Sequence, residues 1–149
     1  NNNNYSFIMK AQIKQKEKEI RDWWNAKCKG QIQLVDDEYS TYDFEGDDFI
    51  VEVKHRFKAY NTKMIETMKL SNNYQQSQLK NKTFVYIVVD ENGVSVFNIS
   101  QVIDKIIKLP EHNKLMEHTH YWSDNKPKIM KLHRNLPKEL SIMWEHKLK

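Results

Sequence analysis

The stretch between residues 43 and 54 combines two acids and a lysine in a pattern that suits metal-assisted hydrolysis. Glu52 and Lys54 are two residues apart in an alternating run, so on a β-strand their side chains point to the same face. Asp43 ends the preceding extended segment, and a hairpin would fold it back toward Glu52. Two carboxylates brought together repel each other and become harder to ionise unless a cation lies between them.

A divalent metal ion that prefers oxygen ligands would remove that repulsion. Asp43, Glu52 and the backbone carbonyl of Val53 offer the hard oxygen ligands that Mg²⁺ or Mn²⁺ takes. Lys54 would lie beside the ion, where its amine orients or deprotonates a water or offsets the charge on a phosphate. These are the groups that hydrolysis of a phosphodiester requires, so Mg²⁺ or Mn²⁺ is the expected cofactor.

The same residues also admit plainer roles. Asp47 or Asp48 would be an alternative ligand to Asp43, but both lie in the predicted turn, too close in sequence to fold back over Glu52. Glu52 and Lys54 could instead form a solvent-facing charge pair worth at most ~1 kcal/mol. The run around them is apolar on both faces, however, which suits a central strand, where charges need a functional reason.

Periodicity on either side of this stretch predicts an α/β domain. Ile13, Glu17, Ile20 and Trp24 fall on one helical stripe, and Gly30 ends the helix. We expect a central mixed sheet of about five strands flanked by helices, in αβββαβ order, with a parallel crossover. In chain order the predicted elements are a helix at 6–29, strands at 31–35, 39–44 and 49–57, a helix at 62–80, strands at 83–89 and 94–99, and a helix at 101–109 that Ser100 caps.

The chain length of 149 residues predicts one domain, 1–149, with its core at about residues 6–109. Beyond Pro110 the periodic signal weakens. Residues 110–149 are therefore expected to form a basic, irregular tail that ends in a short helix from Pro137 to Trp144.

The motif from Asp43 to Lys54, which ends in the run Ile-Val-Glu-Val-Lys, resembles that of the PD-(D/E)XK nuclease superfamily. This superfamily includes restriction endonucleases, phage junction-resolving enzymes and recombination exonucleases. By order of elements the resemblance extends over about residues 6–99, although Tyr42 replaces the proline that precedes the family's first acid. The resemblance implies a restriction-endonuclease-like core, Asp43 and Glu52 as metal ligands, and Lys54 as the catalytic lysine.

Many members of that superfamily carry an acid on the first helix and a polar residue on the helix after the motif. Glu17 is the only acid on the first helix's apolar stripe, so it is a candidate for a further metal contact, direct or through water. The alternative for Glu17 is a salt bridge to Lys14 or Arg21. Gln75 matches the second polar position best, with an ordinary surface glutamine as the alternative.

Charge is divided unevenly along the chain. Eight acids and no lysine or arginine lie at residues 36–52, whereas residues 53–89 carry seven bases and one acid. An anionic patch beside a cationic stretch suits a site that holds divalent cations next to a polyanion, although two adjacent solvated faces would have the same composition. We expect a deoxyribonuclease that acts in recombination, repair, replication or restriction. The residues expected to bind the phosphate backbone are Arg56, Lys58, Lys63 and Lys69.

Two other functions share these features: a nucleic-acid-binding module without hydrolytic activity on the same fold, and an RNA-cleaving enzyme with the same site. A zinc site is disfavoured because His118 and His120 are not accompanied by a Cys-x-x-Cys or His-x-x-x-His pattern. Tyr121 and Trp122 precede a basic segment and are candidates for stacking on unpaired bases, with core packing as the alternative.

The single cysteine, Cys28, rules out an internal disulfide and favours a reducing compartment. We therefore expect a cytoplasmic protein of cellular or viral origin. No apolar run approaches the ~20 residues that a membrane span needs, so no membrane partner is expected. Junction-resolving relatives usually act as dimers, and the resemblance thus implies a homodimer.

Overall fold

In the computed structural model, the described residues are 2–27, 31–37, 39–116 and 128–148. They form three α-helices, one 3-10 turn and nine strands arranged in two sheets. The elements are α1 (Asn2–Lys27), β1 (Ile32–Leu34), β2 (Phe44–Gly46), β3 (Phe49–His55), β4 (Thr62–Glu66), α2 (Thr67–Lys80), β5 (Thr83–Asp90), β6 (Gly93–Asn98), α3 (Ile99–Ile106), β7 (Glu111–Met116), β8 (Ile129–Pro137), a 3-10 turn (Lys138–Leu140) and β9 (Met143–His146).

The main sheet has six strands in the order β1-β2-β3-β5-β6-β9. Its central pair, β3 and β5, is parallel, and every other neighbouring pair is antiparallel. The chain passes from β3 to β5 through β4 and α2, so the parallel crossover expected from the sequence is present. The predicted α/β class with a mixed sheet is confirmed.

Alternation along β3 divides the core into two layers. Val51 and Val53 pack with Ile20 and Trp24 of α1 on one face of the sheet. Ile50 points to the other face, where the main sheet packs against α2, α3 and the second sheet. Burying each such aliphatic side chain stabilises the fold by roughly 1.5–3 kcal/mol. Because side chains on a strand alternate, Glu52 and Lys54 lie on the same face as Ile50, opposite α1.

The predicted strand at 39–44 is wrong in its boundaries, although the hairpin is confirmed. The side chain of Asp37 accepts the N–H of Tyr39, and the hydroxyl of Ser40 donates to the carbonyl of Tyr42, so the segment is held in local turns. Such short side-chain hydrogen bonds compete with strand pairing. The strand begins only at Phe44, and the hairpin turn narrows to Asp47 and Asp48.

The predicted helix at 62–80 is wrong over its first five residues, which form β4. Lys63 and Ile65 are buried there while the alternate residues are partly exposed, a two-residue period that the adjoining helical pattern conceals. The helix α2 starts at Thr67, and its buried face carries Leu70, Asn73 and Ser77.

The irregular tail predicted for residues 110–149 is also wrong where the structure describes this range, at 110–116 and 128–148. β7 and β8 pair with each other, and β8 pairs with β4, to give a second sheet in the order β4-β8-β7. Instead of the expected helix after Pro137, a single 3-10 turn leads into β9, which completes the main sheet. Leu136 and Ile65 join the same apolar cluster as the main sheet, so both sheets share one core.

The remaining differences are small. Asn98 rather than Ser100 caps α3, because the Asn98 side chain accepts the amide of Gln101 at 3.1 Å while Ser100 Oγ accepts the amide of Phe84 at 2.8 Å. Three sequence predictions concern residues outside the described ranges: the helix stop at Gly30, the histidines at 118 and 120, and the aromatic pair at 121 and 122. No described helix has the length and apolar character needed to cross a membrane.

Candidate functional site

Asp43 immediately precedes β2 and lies beside β3. Its amide donates to the carbonyl of Val51 at 2.9 Å, and its Oδ2 accepts the amide of Val53 at 2.8 Å. The Asp43 carboxylate thus takes the place of a backbone carbonyl and extends the hydrogen-bond ladder between β2 and β3 by one step beyond the Phe44–Val51 pair. Since the N–H and C=O of one strand residue point to the same edge, the carbonyl of Val53 also faces the edge that Asp43 occupies.

Glu52 meets Asp43 at this edge. The Glu52 side chain is buried, and the Asp43 carboxyl is close enough for its charge to act on that of Glu52. Burial and the neighbouring charge of Asp43 raise the pKa of Glu52 well above its usual range. Burial likewise raises the pKa of Asp43, which its hydrogen bond from Val53 only partly offsets. A buried carboxyl pair of this kind is stabilised by a shared proton or by a cation.

Cationic side chains surround the pair. The Nζ atom of Lys69 is 3.8 Å from Oε2 of Glu52 and donates to the carbonyl of Thr41 at 3.3 Å. Lys54 extends from the same strand face as Glu52. Burial, and then the nearby charge of Arg56, lower the pKa of Lys54, so its amine loses a proton more readily than a solvent-exposed lysine.

A small cavity of about 30 Å³ lies between these groups. A water molecule needs at least about 10–15 Å³ of such space, so the cavity has room for about two waters. Three cations and two acids line this volume, which is large enough to admit a water or a phosphate oxygen. The lining residues are Glu52, Lys54, Arg56, Glu66, Lys69 and Tyr86.

Glu17 approaches Asp43 from the opposite face of the sheet, on α1. Burial, followed by the negative charge of Asp43, raises the pKa of Glu17 to about 7, and Lys14 opposes the shift. Arg21, the alternative partner considered for Glu17, forms its ion pair with Asp22 at 3.2 Å. The helix α1 therefore holds Glu17 close enough to Asp43, the residue before β2, for the two charges to interact.

Glu17→Gln is expected to change how stability depends on pH in metal-free solution. A carboxyl whose pKa is raised by folding binds more protons in the folded state, so its contribution is present below about pH 4.5 and is lost as pH rises toward about 7. Relative to the wild type, the variant should gain about 1–2 kcal/mol between these limits, after a discount for the partial exposure of Glu17. Urea unfolding at several pH values with a chelator present measures the gain. Glu19→Gln, a change at an exposed position on the same helix, is the control, and an equal gain for both variants would contradict the prediction.

The residues present fit a hard divalent cation. Oε2 of Glu52 is buried and has no hydrogen-bond partner among the described residues, and Asp43 and the Val53 carbonyl add oxygen donors beside it. Within the described ranges, no group of three or more Asp, Glu, His or Cys side chains is placed so that together they could hold a metal ion. Mg²⁺ is commonly held by one or two carboxylates and retains several waters, so the Asp43–Glu52 pair matches its needs.

The predicted phosphate-binding residues divide into two groups. Arg56 and Lys69 line the cavity beside Glu52. Lys58 is exposed in the loop after β3. Gln75 lies on the exposed side of α2 and is not part of the cavity lining, because the buried face of the helix is formed by other residues.

Lys63 does not face a substrate, and its predicted role in phosphate binding is wrong. Its side chain is only 2% exposed, and Nζ lies 2.8 Å from both Asp90 and Glu145. The ammonium also donates to the carbonyl of Tyr60 at 3.2 Å and stacks over the ring of Trp144 at 4.5 Å. Lys63 therefore joins β4 to β5 and β9 as a structural cation.

Three residues of the site were missed from the sequence. Tyr86 is directly opposite Glu52 in the parallel β3–β5 register, and its hydroxyl donates to the carbonyl of Met64 at 2.8 Å. Glu66 ends β4 and pairs with Lys131 of β8 at 3.5 Å. Glu66 is the single acid in the basic stretch at 53–89, which was an available signal, but Lys131 is brought in only by the unpredicted second sheet.

In comparisons with protein-family models, with curated proteins and with solved structures, no family, protein or structure matches this chain.

Proposed function

We propose that this protein is a Mg²⁺- or Mn²⁺-dependent nuclease that hydrolyses phosphodiester bonds of DNA, built on a restriction-endonuclease-like core. The observation that carries the proposal is the pair of Asp43 and the buried Glu52, in which Oε2 of Glu52 has no hydrogen-bond partner among the described residues and lies beside a cavity that cations line. A structural role alone gives no reason to place two repelling carboxyls side by side, one of them buried on a central strand.

The chemistry of the surrounding side chains supports a metal-assisted hydrolysis. Asp43, Glu52 and the Val53 carbonyl would hold the ion, with Glu17 as a further contact through water. A bound Mg²⁺ would lower the pKa of a coordinated water and neutralise charge on the phosphate. Lys54, whose pKa is lowered by burial and then by Arg56, is suited to accept a proton from the attacking water.

The cations of the cavity indicate an anionic substrate. Arg56 and Lys69 would contact the phosphate oxygens, where charge increases during the reaction. The assignment of DNA, rather than RNA, rests on the resemblance of the motif at 43–54 to nucleases that act on DNA. A homodimer, as in junction-resolving members of that superfamily, is part of the same proposal.

Cleavage should require a divalent ion. Labelled duplex DNA, single-stranded DNA, a four-way junction and matched RNA would be incubated with increasing Mg²⁺ or Mn²⁺ and, separately, with a chelator. We expect DNA to be cut only when the ion is present. Asp43→Asn, which can still accept the Val53 amide, should lose cutting, and Asp47→Asn in the exposed turn should retain it.

The other readings give different results in the same assay. Salt-sensitive DNA binding that is unchanged by metal, without cutting, would identify a binding module instead. Preferential cutting of the matched RNA would identify a ribonuclease with the same site. Cleavage that continues in the chelator, or in Asp43→Asn, would contradict the proposed metal site.

A further inference from the structure

β7 and β8 form a two-stranded antiparallel ribbon that extends from the second sheet, and one face of this ribbon is basic. In the register of the pair, Lys114 is directly opposite Lys131, and His112 is directly opposite His133. The two imidazole rings are 5.7 Å apart. Because side chains alternate along a strand, all four side chains lie on the same face.

This basic face is continuous with the cavity. Glu66, which lines the cavity, is opposite His133 in the β4–β8 register and forms an ion pair with Lys131 at 3.5 Å. Charge interactions also connect the ribbon face with the cavity. The charge of Lys131 acts on Lys54, and the charge of Arg56 acts on His133. The ribbon face and the cavity thus form one positively charged surface.

The ribbon tolerates an arrangement that costs stability. Like charges directly opposite each other on paired strands are destabilising, and Lys114 and Lys131 are such a pair. The side chain of Lys131 is only 13% exposed, so solvent screens it incompletely. Glu66 offsets the charge of Lys131 from the cavity side, whereas Lys114 is exposed at the outer end of the same face. An anion lying along this face would relieve the repulsion.

We infer that the basic face of the β7–β8 ribbon binds the phosphate backbone of the DNA and leads it into the cavity at Glu52. The inference rests on the proposed function for its choice of DNA, and it adds a binding surface outside the motif at 43–54. Lys114 and Lys131 are the principal contacts, and the buried His133 of β8 lies where the ribbon face meets Arg56 of the cavity. These contacts position the backbone and do not read sequence.

The test is the salt dependence of DNA binding, measured without metal so that no cutting occurs. Fluorescence anisotropy with a labelled duplex would compare the wild type with Lys114→Gln and with Lys114→Gln/Lys131→Gln over a range of salt concentrations. Each lost phosphate contact lowers the slope of log K against log salt by about 0.9. We therefore expect a slope reduced by about 1 in the single variant and by about 2 in the double variant.

Lys105→Gln/Lys108→Gln is the matched control, because it removes two exposed charges near the end of α3 and should leave the slope unchanged. Lys114 is exposed, so its single variant should fold even if the loss of the Lys131–Glu66 pair disturbs the double variant; thermal melting checks both.

An unchanged slope in Lys114→Gln, or an equal decrease in the control, would overturn the ribbon assignment. If the wild type cuts DNA in that case, the proposed nuclease remains. If the ribbon variants show the expected slopes but no protein cuts DNA, the ribbon assignment stands and the proposed nuclease fails.

Discussion

Glu52→Gln is expected to reduce metal-dependent cleavage by about 10³-fold or more without lowering the stability of the metal-free protein. The amide keeps the size and shape of the buried side chain but cannot supply the negative oxygen that a divalent ion needs. Losing several kcal/mol of transition-state stabilisation corresponds to about this factor, since each 1.36 kcal/mol changes the rate tenfold. The amide also ends the charge repulsion with Asp43, which burial makes costly in the wild type.

Cleavage rates at saturating Mg²⁺ or Mn²⁺ and urea unfolding in a chelator would measure the two effects separately. Metal should stabilise the wild type against unfolding because it binds the folded state, and this stabilisation should be absent from Glu52→Gln. Cleavage at the wild-type rate would contradict a ligand role for Glu52. A stability loss of several kcal/mol would instead identify Glu52 as a structural acid.

Glu45→Gln makes the same chemical change in the neighbouring strand and provides the control. Burial acts to raise the pKa of Glu45, but hydrogen bonds from Lys82, Tyr42 and Lys80 outweigh it and lower the pKa to about 2. Glu45 is thus a paired structural acid outside the cavity. Its variant should lose up to about 1 kcal/mol of stability and retain cleavage, the reverse of the result expected for Glu52→Gln.

Lys63→Met is expected to destabilise the protein by about 3–5 kcal/mol, a large part of the 5–15 kcal/mol that holds a typical domain together. The side chains of Lys63 and Asp90 are 2% and 1% exposed, so removing the ammonium leaves the carboxylate of Asp90 buried without its cation. The change also separates β4 from β5 and β9, to which Lys63 is joined. Urea unfolding followed by circular dichroism measures the loss.

A second substitution distinguishes the buried charge from lost packing. Asp90→Asn removes the unpaired charge and preserves an oxygen that can accept the amide of Asn92. In the Lys63→Met background it should restore a substantial part of the stability, so the two changes should be strongly non-additive. Simple additivity would show that the ion pair contributes little. If folded Lys63→Met showed a weaker dependence of DNA binding on salt concentration than the wild type, the sequence-based prediction that Lys63 contacts the phosphate backbone would be supported after all.

The sequence was sufficient for the features that depend on local periodicity. Alternation along residues 49–57 predicted that Glu52 and Lys54 share one face of β3, and the two core layers on either side of that strand confirm the alternation. The helical stripe of α1, the apolar strand β5 and the hairpin that returns Asp43 toward Glu52 follow from the same short-range patterns. Side-chain period and turn position are set by neighbouring residues, which explains this success.

Tertiary structure alone decided which charges belong to the site. Lys63 and Lys69 are indistinguishable as bases in one stretch of sequence, yet one is buried between Asp90 and Glu145 and the other approaches Glu52. The partners that separate them lie on strands distant in sequence, and β8 and β9 have no periodic signal that would reveal their pairing. Strand formation in such polar segments depends on long-range pairing rather than on local preference. Local pattern therefore determined the motif at 43–54, and only contacts between remote segments determined its surroundings.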